Sequence, residues 1–192
     1  MKHLKSICVF CASSNAVDKE YMDAALSLGC MMGSAGIDLV YGGASIGLMG
    51  SVARGVHQVG GKVIGVLPEF FKIKGIEYSE ADELIVVKDM RERKAVLDQR
   101  ADGFIVLPGG VGTLEEAMEI LSMIQLRLTR KPLVFVNTNN FYSGLIEHLK
   151  MTVESRFAKD ETLKMFTVVP DPQAALDYLK NFSPPELHAK WI

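Results

Sequence analysis

The chain has 192 residues, 48% of them hydrophobic and 23% charged, the composition of a globular protein with a sizeable core rather than of a disordered or fibrous one. Its 21 Lys and Arg against 23 Asp and Glu give a formal net charge of −2, which supplies no electrostatic case for nucleic acid or an anionic membrane as partner. No apolar run reaches the about 18 residues of a membrane span, and three cysteines, an odd number, argue against a disulfide framework.

The N-terminus, MKHLKSICVFCASSNAV, puts basic residues before an apolar run as a signal peptide does. Ile7–Phe10 is too short for the apolar region of such a peptide and reads as a first strand, so a cytoplasmic location is expected. Cys8 and Cys11 have C-x-x-C spacing, but a redox pair sits at a helix start, whereas Cys8 lies inside ICVF. Packing is the favoured role, and no His stands at a zinc-ligand spacing, so no metal is expected.

Strand 6–11 is followed by a helical pattern over 20–33, strand 37–42 by a helix over 47–60, and strand 62–68 by a loop over 69–82. Strand 83–88 then precedes a helix over 90–101, strand 103–108 a helix over 113–128, strand 132–137 a helix over 141–157, and strand 166–169 a helix over 172–181. The strands are continuous apolar runs, as strands buried on both faces are. Such alternation predicts an α/β fold, a doubly wound parallel sheet of about seven strands with helices on both faces. With no linker or repeat, residues 1–192 form a single domain in this reading. The long loop EFFKIKGIEYSEAD (69–82) is expected to cover the ligand, and the proline-broken tail NFSPPELHAKWI to lie on the surface or against a partner subunit.

Ligands of open α/β sheets bind outside the carboxyl ends of the strands. Two glycine-rich loops fall there, each feeding a helix: YGGASIGLMG (41–50) and PGGVGT (108–113). A helix N-terminus offers free N–H groups and partial positive charge to a phosphate, and glycines let the backbone approach it closely. The candidate contacts are Gly43, Gly47 and Met49 in the first loop, and Pro108, Gly109, Gly110, Val111, Gly112 and Thr113 in the second. Neither loop is a P-loop or a G-x-G-x-x-G fingerprint, so a phosphate site is favoured over a dinucleotide site. One glycine turn is often no more than a tight connection. Two at one sheet edge favour a ligand.

Glu115 and Glu116 follow at once, in the first turn if the helix begins near Thr113. Helix-dipole stabilisation accounts for Glu115. Glu116 shares a face with Thr113 and Glu119 and falls where the sugar of a phosphate-bound nucleotide would lie. A carboxylate there accepts hydrogen bonds from a ribose diol and stabilises positive charge on the ring as a glycosidic bond breaks. Upstream, DMRERKAVLDQRAD (89–102) carries Arg91, Arg93, Lys94 and Arg100. Arg91 and Arg100 read as a solvated face. Arg93 and Lys94 lie in the first helical turn at the glycine-loop edge, where cations oppose the dipole, and an anionic ligand explains them.

Met90-x-x-Arg93-Lys94 followed by Pro108-Gly109-Gly110-x-Gly112-Thr113-x-x-Glu116 resembles the Lonely Guy family of cytokinin-riboside 5′-monophosphate phosphoribohydrolases, long misnamed lysine decarboxylases. ICVFCASS, LVYGGASIGLMG and VIGVLP match it in order, so the resemblance covers roughly residues 6–150. It implies a Rossmann-like homodimer with active sites close to the subunit interface. The implied reaction is hydrolysis of the N-glycosidic bond of a purine nucleoside 5′-monophosphate to free base and ribose 5-phosphate, without metal or organic cofactor. Arg93 and Glu116 match the catalytic pair, Lys94 and the Gly110–Glu116 segment, with Glu115, match substrate-binding positions, and Ser122 stands where the family often has a substrate-contacting Thr. Plant members carry a substrate-contacting Glu where this chain has Gly75, which leaves Glu69 or Glu77 as its replacement. AMP and N6-substituted AMP both stay open as substrates.

His3, His57, His148 and His188 read as surface or packing residues, no Ser-His-Asp pattern emerges, and no lysine is nominated for pyridoxal phosphate. The rival readings are a non-catalytic nucleotide or molybdenum-cofactor carrier of the same fold, which would not need the Arg93–Glu116 pair, and an NAD-dependent oxidoreductase, which lacks its fingerprint.

Overall fold

The computed structural model describes residues 4–72 and 75–186. Seven strands, β1 (Ser6–Phe10), β2 (Asp38–Tyr41), β3 (Val63–Pro68), β4 (Glu83–Val87), β5 (Gly103–Val106), β6 (Leu133–Val136) and β7 (Thr167–Val169), form one sheet in the order β4-β3-β2-β1-β5-β6-β7. Every pairing is parallel. The helices are α1 (Lys19–Ser34), α2 (Gly47–Gln58), α3 (Glu69–Lys72), α4 (Met90–Arg100), α5 (Val111–Gln125), α6 (Ser143–Glu154) and α7 (Pro172–Lys180). The expected doubly wound sheet is what forms. Several runs end a residue or two early, because Cys11, Gly42, Lys88, Leu107 and Asn137 already turn out of the sheet into the edge loops. The long loop over 69–82 opens with the short helix α3.

Alternation along β1 explains the two core layers. Ile7 and Val9 pack with α1, α2 and α7, whereas Cys8 and Phe10 pack with α4, α5 and α6. Cys11 joins the first layer and Cys8 the second, so the two buried thiols stand on opposite faces of the sheet and do not form a redox pair. The chain runs outward from β1 to β4, then crosses to β5 on the other side of β1. That reversal opens a crevice at the carboxyl ends of β1 and β5, and both glycine loops border it. His3, His188 and the last six residues of the tail lie outside the described residues.

The helices α1 and α2 cross in close contact because glycines meet backbone there. A Cβ at Gly29 would lie 2.1 Å from the Val52 carbonyl oxygen, and one at Gly55 2.2 Å from that of Leu26. Gly29→Ala must therefore push the helices apart and should cost about 1–3 kcal/mol of stability, as overpacking does. A thermal melt followed by circular dichroism should record a lower midpoint, and an unchanged one would show that the helices part freely.

Candidate active site

The second glycine loop is anchored from two directions. The Pro108 carbonyl accepts from the Ala12 N–H at 3.1 Å, and the buried Tyr142 hydroxyl donates to the Leu107 carbonyl at 2.7 Å. Gly109 lets Thr113 fold back on the turn, since a Cβ there would lie 2.1 Å from Thr113 Oγ1. Gly110 is the N-cap of α5 and has no side chain to occupy the first amides. Gly110 and Gly112 are exposed with open space above them, and Val111 is 85% exposed. The amino end of α5 is thus uncapped and open, the arrangement that receives an anion.

The first loop has the same glycine content and a different job. Gly47 N–H donates to Asn15 Oδ1 at 2.7 Å, and Met49 N–H to the Ala12 carbonyl at 3.2 Å. Gly47, with φ +58°, is buried against the backbone of Ser13 and Ser14. Two amides at the start of α2, those of Gly47 and Met49, are therefore engaged, and the amino end of α5 is the more open of the two helix ends. Gly43 is buried with φ +78°, and Met49 lies beside Gly42. These residues wall the site.

The wall faces Arg93. Asp89 caps α4 by accepting from the Arg91 and Glu92 amides at 2.9 and 3.0 Å, which fixes the turn that carries Arg93 inward. Its Nε donates to the Val66 carbonyl at 3.0 Å and its Nη1 meets Glu116 Oε1 at 2.5 Å. Nη2 lies against Gly42, where an added Cβ would be 2.2 Å away. Arg93 and Glu116 are 5% and 6% exposed. Burial pushes the Glu116 carboxyl above the usual range, and the Arg93 charge and hydrogen bond oppose that rise.

Two expectations are corrected here. The helix α5 begins at Val111 rather than near Thr113, so Glu115 and Glu116 stand in its second turn, beyond the reach of simple dipole stabilisation. Nor is Lys94 a free cation for the ligand. Its ammonium pairs with Glu115 and Glu119 at 2.5 Å each, and those hydrogen bonds raise its pKa, so it acts as a strut between α4 and α5. Arg100 lies exposed, as expected, and pairs there with Glu83.

A cavity of about 200 Å³ between α4 and α5 reaches Glu116 over an apolar floor of Phe10, Ile120 and Met123. Ser122 stays apart, exposed on α5 with its hydroxyl turned to the Met118 carbonyl at 2.8 Å. Gly75 is exposed with φ +62°, a conformation that opposes a side chain such as the Glu it replaces. Glu69 is exposed at the start of α3, whereas Glu77 forms a bridge with Ala44 of the first glycine loop. Asn15, Tyr142 and Gly42 were not singled out in the sequence. Asn15 and Tyr142 act through partners 32 and 35 residues away, which no local pattern records. Gly42 stood in view in the motif YGG, but its contact is with Arg93.

Removing one member of the buried pair should test its weight. Arg93→Ala leaves Glu116 buried without a counter-charge, a loss of about 3–5 kcal/mol where the carboxylate is ionised. Since burial already holds the folded pKa above the unfolded one, protonation relieves the penalty, and the deficit should shrink as the pH falls through that raised pKa. Urea unfolding of both proteins at neutral and mildly acid pH measures this, and a deficit independent of pH would contradict it.

The protein family described as "Possible lysine decarboxylase" matches residues 49–179. A probable cytokinin riboside 5′-monophosphate phosphoribohydrolase of Oryza sativa subsp. japonica is 39% identical over 180 residues, 94% of this chain and 74% of that protein. A cytokinin riboside 5′-monophosphate phosphoribohydrolase of Arabidopsis thaliana is 38% identical over 180 residues, 94% of this chain and 83% of that protein. Among solved structures, the molybdenum cofactor binding protein of Rippkaea orientalis superposes with a TM-score of 0.73 at 21% identity, covering 94% of this chain and 98% of that one. That last likeness is one of fold.

Proposed function

The chain belongs to the family described as "Possible lysine decarboxylase", the resemblance to the Lonely Guy proteins being borne out along most of its length, and from this premise we propose that it hydrolyses the N-glycosidic bond of a purine nucleoside 5′-monophosphate. AMP and N6-substituted, cytokinin-type AMP are the substrates considered, and free base and ribose 5-phosphate the products. The observation that carries this reading is the buried Arg93–Glu116 pair beside the uncapped amino end of α5. The substrate phosphate sits on the open amides of Gly110, Val111, Gly112 and Thr113, which directs the ribose toward Glu116. As the C1′–N bond breaks, positive charge builds on the ribose ring, and the Glu116 carboxylate stabilises it. Water closes the C1′–O bond and the base leaves with a proton. Arg93 keeps the carboxylate oriented and ionised against its burial. The pair and the identity of 39% to phosphoribohydrolases favour hydrolysis over a molybdenum-cofactor carrier, which rests on 21% identity and a common fold.

Glu116→Gln should fold and lose on the order of 10²-fold or more in rate, the scale of one electrostatic contact to the transition state. Chromatography for adenine released from AMP reads this, and near-normal turnover in the folded variant would sink the assignment. Adenosine should be cleaved far more slowly than AMP at equal concentration, because the open helix end then goes unfilled. Equal rates would mean that PGGVGT serves the fold and not a ligand.

The proposal includes a homodimer. On α5, Leu114, Met118 and Met123 pack in part against the chain's own core. Val111, Leu126 and Leu128 remain exposed, and Met151 and the 88%-exposed Phe157 add to the uncovered apolar surface. That much apolar surface favours a second subunit as cover. Light scattering at micromolar concentration should return twice the 21.1 kDa chain mass, and the monomer mass would refute the dimer. A cytoplasmic location goes with this reading, and no described helix is long and apolar enough to cross a membrane.

A further inference from the structure

The Leu107 carbonyl, at the entry to the second glycine loop, takes its hydrogen bond from a side chain 35 residues away. Leu107 is fully buried and donates its own N–H to the Phe10 carbonyl at 2.9 Å. A regular parallel ladder would next bring the Ala12 N–H to the Leu107 carbonyl. That N–H goes one residue further, to the Pro108 carbonyl at 3.1 Å, and the Tyr142 hydroxyl fills the place at 2.7 Å. Two successive carbonyls thus fix the loop entry, one held by backbone and the other by Tyr142. Tyr142 is itself held firmly. Its N–H donates to Asn137 Oδ1 at 2.7 Å, after a tight turn in which Asn139 and Asn140 have φ of +52° and +59°. Its ring stands edge-on to Phe135 with centroids 5.2 Å apart, and Phe135 of β6 pairs with Val106 of β5. Burial pushes the Tyr142 phenol far above the usual tyrosine range and Cys11 adds to the rise, so the hydroxyl keeps its one hydrogen.

A hydrogen bond at Leu107 acts further along the chain because the next residue cannot absorb a tilt. The pyrrolidine ring locks φ of Pro108, so a rotation of the Leu107–Pro108 peptide carries the following residues with it. Gly109 lies against the Thr113 side chain, where an added Cβ would be 2.1 Å from Oγ1, and this contact joins the turn to the first turn of α5. The amides of Gly110 to Thr113 therefore follow that peptide. We propose that Tyr142 is a positioning residue for phosphate recognition: by holding the Leu107 carbonyl, it sets the direction in which the open amides of α5 face the substrate phosphate. The hydroxyl touches no substrate and acts through the peptide it fixes. Without it the Leu107 carbonyl is a buried acceptor lacking a partner, and it turns toward whatever donor it can reach.

The affinity arm of the test rests on the phosphoribohydrolase reading, and the spectroscopic arm does not. Tyr142→Phe keeps the ring contact with Phe135, and a thermal melt checks that the variant is folded. Amide NMR of the full-length protein should show the Gly109, Gly110 and Gly112 signals displaced in the variant, while those of Gly29 and Gly55 on α1 and α2 stay in place. Asn137→Ala removes the acceptor of the Tyr142 N–H and leaves the hydroxyl intact, so it should displace the same loop signals by less, and it serves if Tyr142→Phe does not fold. For AMP, kcat/KM should fall about two- to tenfold in Tyr142→Phe, the worth of one hydrogen bond. The fall should lie in KM with kcat nearly unchanged, because the phosphate is held alike before and during reaction. Ribose 5-phosphate should bind more weakly by a similar factor in calorimetry, and adenosine, which has no phosphate, should be cleaved as in the wild type. Loop signals that do not move, or equal losses for AMP and adenosine, would overturn the proposal. Were AMP neither hydrolysed nor bound, the functional reading would fall alone, and the glycine signals would still decide whether Tyr142 sets the loop.

Discussion

One guanidinium sets the geometry of the carboxyl edge. Moving an ion from water into a protein interior costs several kcal/mol, and neither Arg93 nor Glu116 could stay buried and charged without the other. The cost is offset because the fork of Arg93 is filled from fixed points: the Val66 carbonyl on β3 and the carboxylate on α5. Lysine has no such fork and could not serve both partners in one plane. Gly42 contributes by having no side chain where the guanidinium must lie. A carboxylate held in this way is dry and oriented before any ligand arrives, the state in which it best stabilises charge that develops later.

The second glycine loop, the wall of the first and the cap of α4 all converge on that pair. Asp89 sets the phase of α4, and a shift of one residue would turn Arg93 toward solvent. Lys94, the next residue, points the other way and joins α4 to α5 through Glu115 and Glu119. Adjacent basic residues therefore have opposite surroundings, one buried against Glu116 and one nearer the surface as a brace.

The fold was legible because buried parallel strands advertise themselves as unbroken apolar runs, and ICVF or GFIV have no polar residue that a solvated strand would keep. Arg93 and Glu116 were legible because their charges conflict with their surroundings in a way that only pairing or a ligand resolves. What stayed hidden was which backbone amides already had partners. YGGASIG and PGGVGT look alike in sequence, yet Asn15 and Ala12 engage the first while the second is left open. Those partners come from the loop after β1, and their distance along the chain leaves no trace in the motif. The helix start at Val111 was missed for a related reason: glycine at 110 and 112 reads as loop, although a glycine N-cap is common where the amides are needed elsewhere.

The strand order also governs how the protein can be made. A nascent chain emerges from its amino end, and β1 to β4 with α1 and α2 are complete by Val87. Yet β1 sits in the middle of the sheet, so its second edge stays unpaired until β5 has been synthesised. During that interval Ile7 to Phe10 present an apolar edge of the kind that recruits foreign strands. Arg93 is also made before its carboxylate, which arrives 23 residues later on α5. Translation that stalls in this window leaves a half-sheet with an open flank and an unmatched cation, and quality-control machinery that binds apolar strands meets it at its most vulnerable.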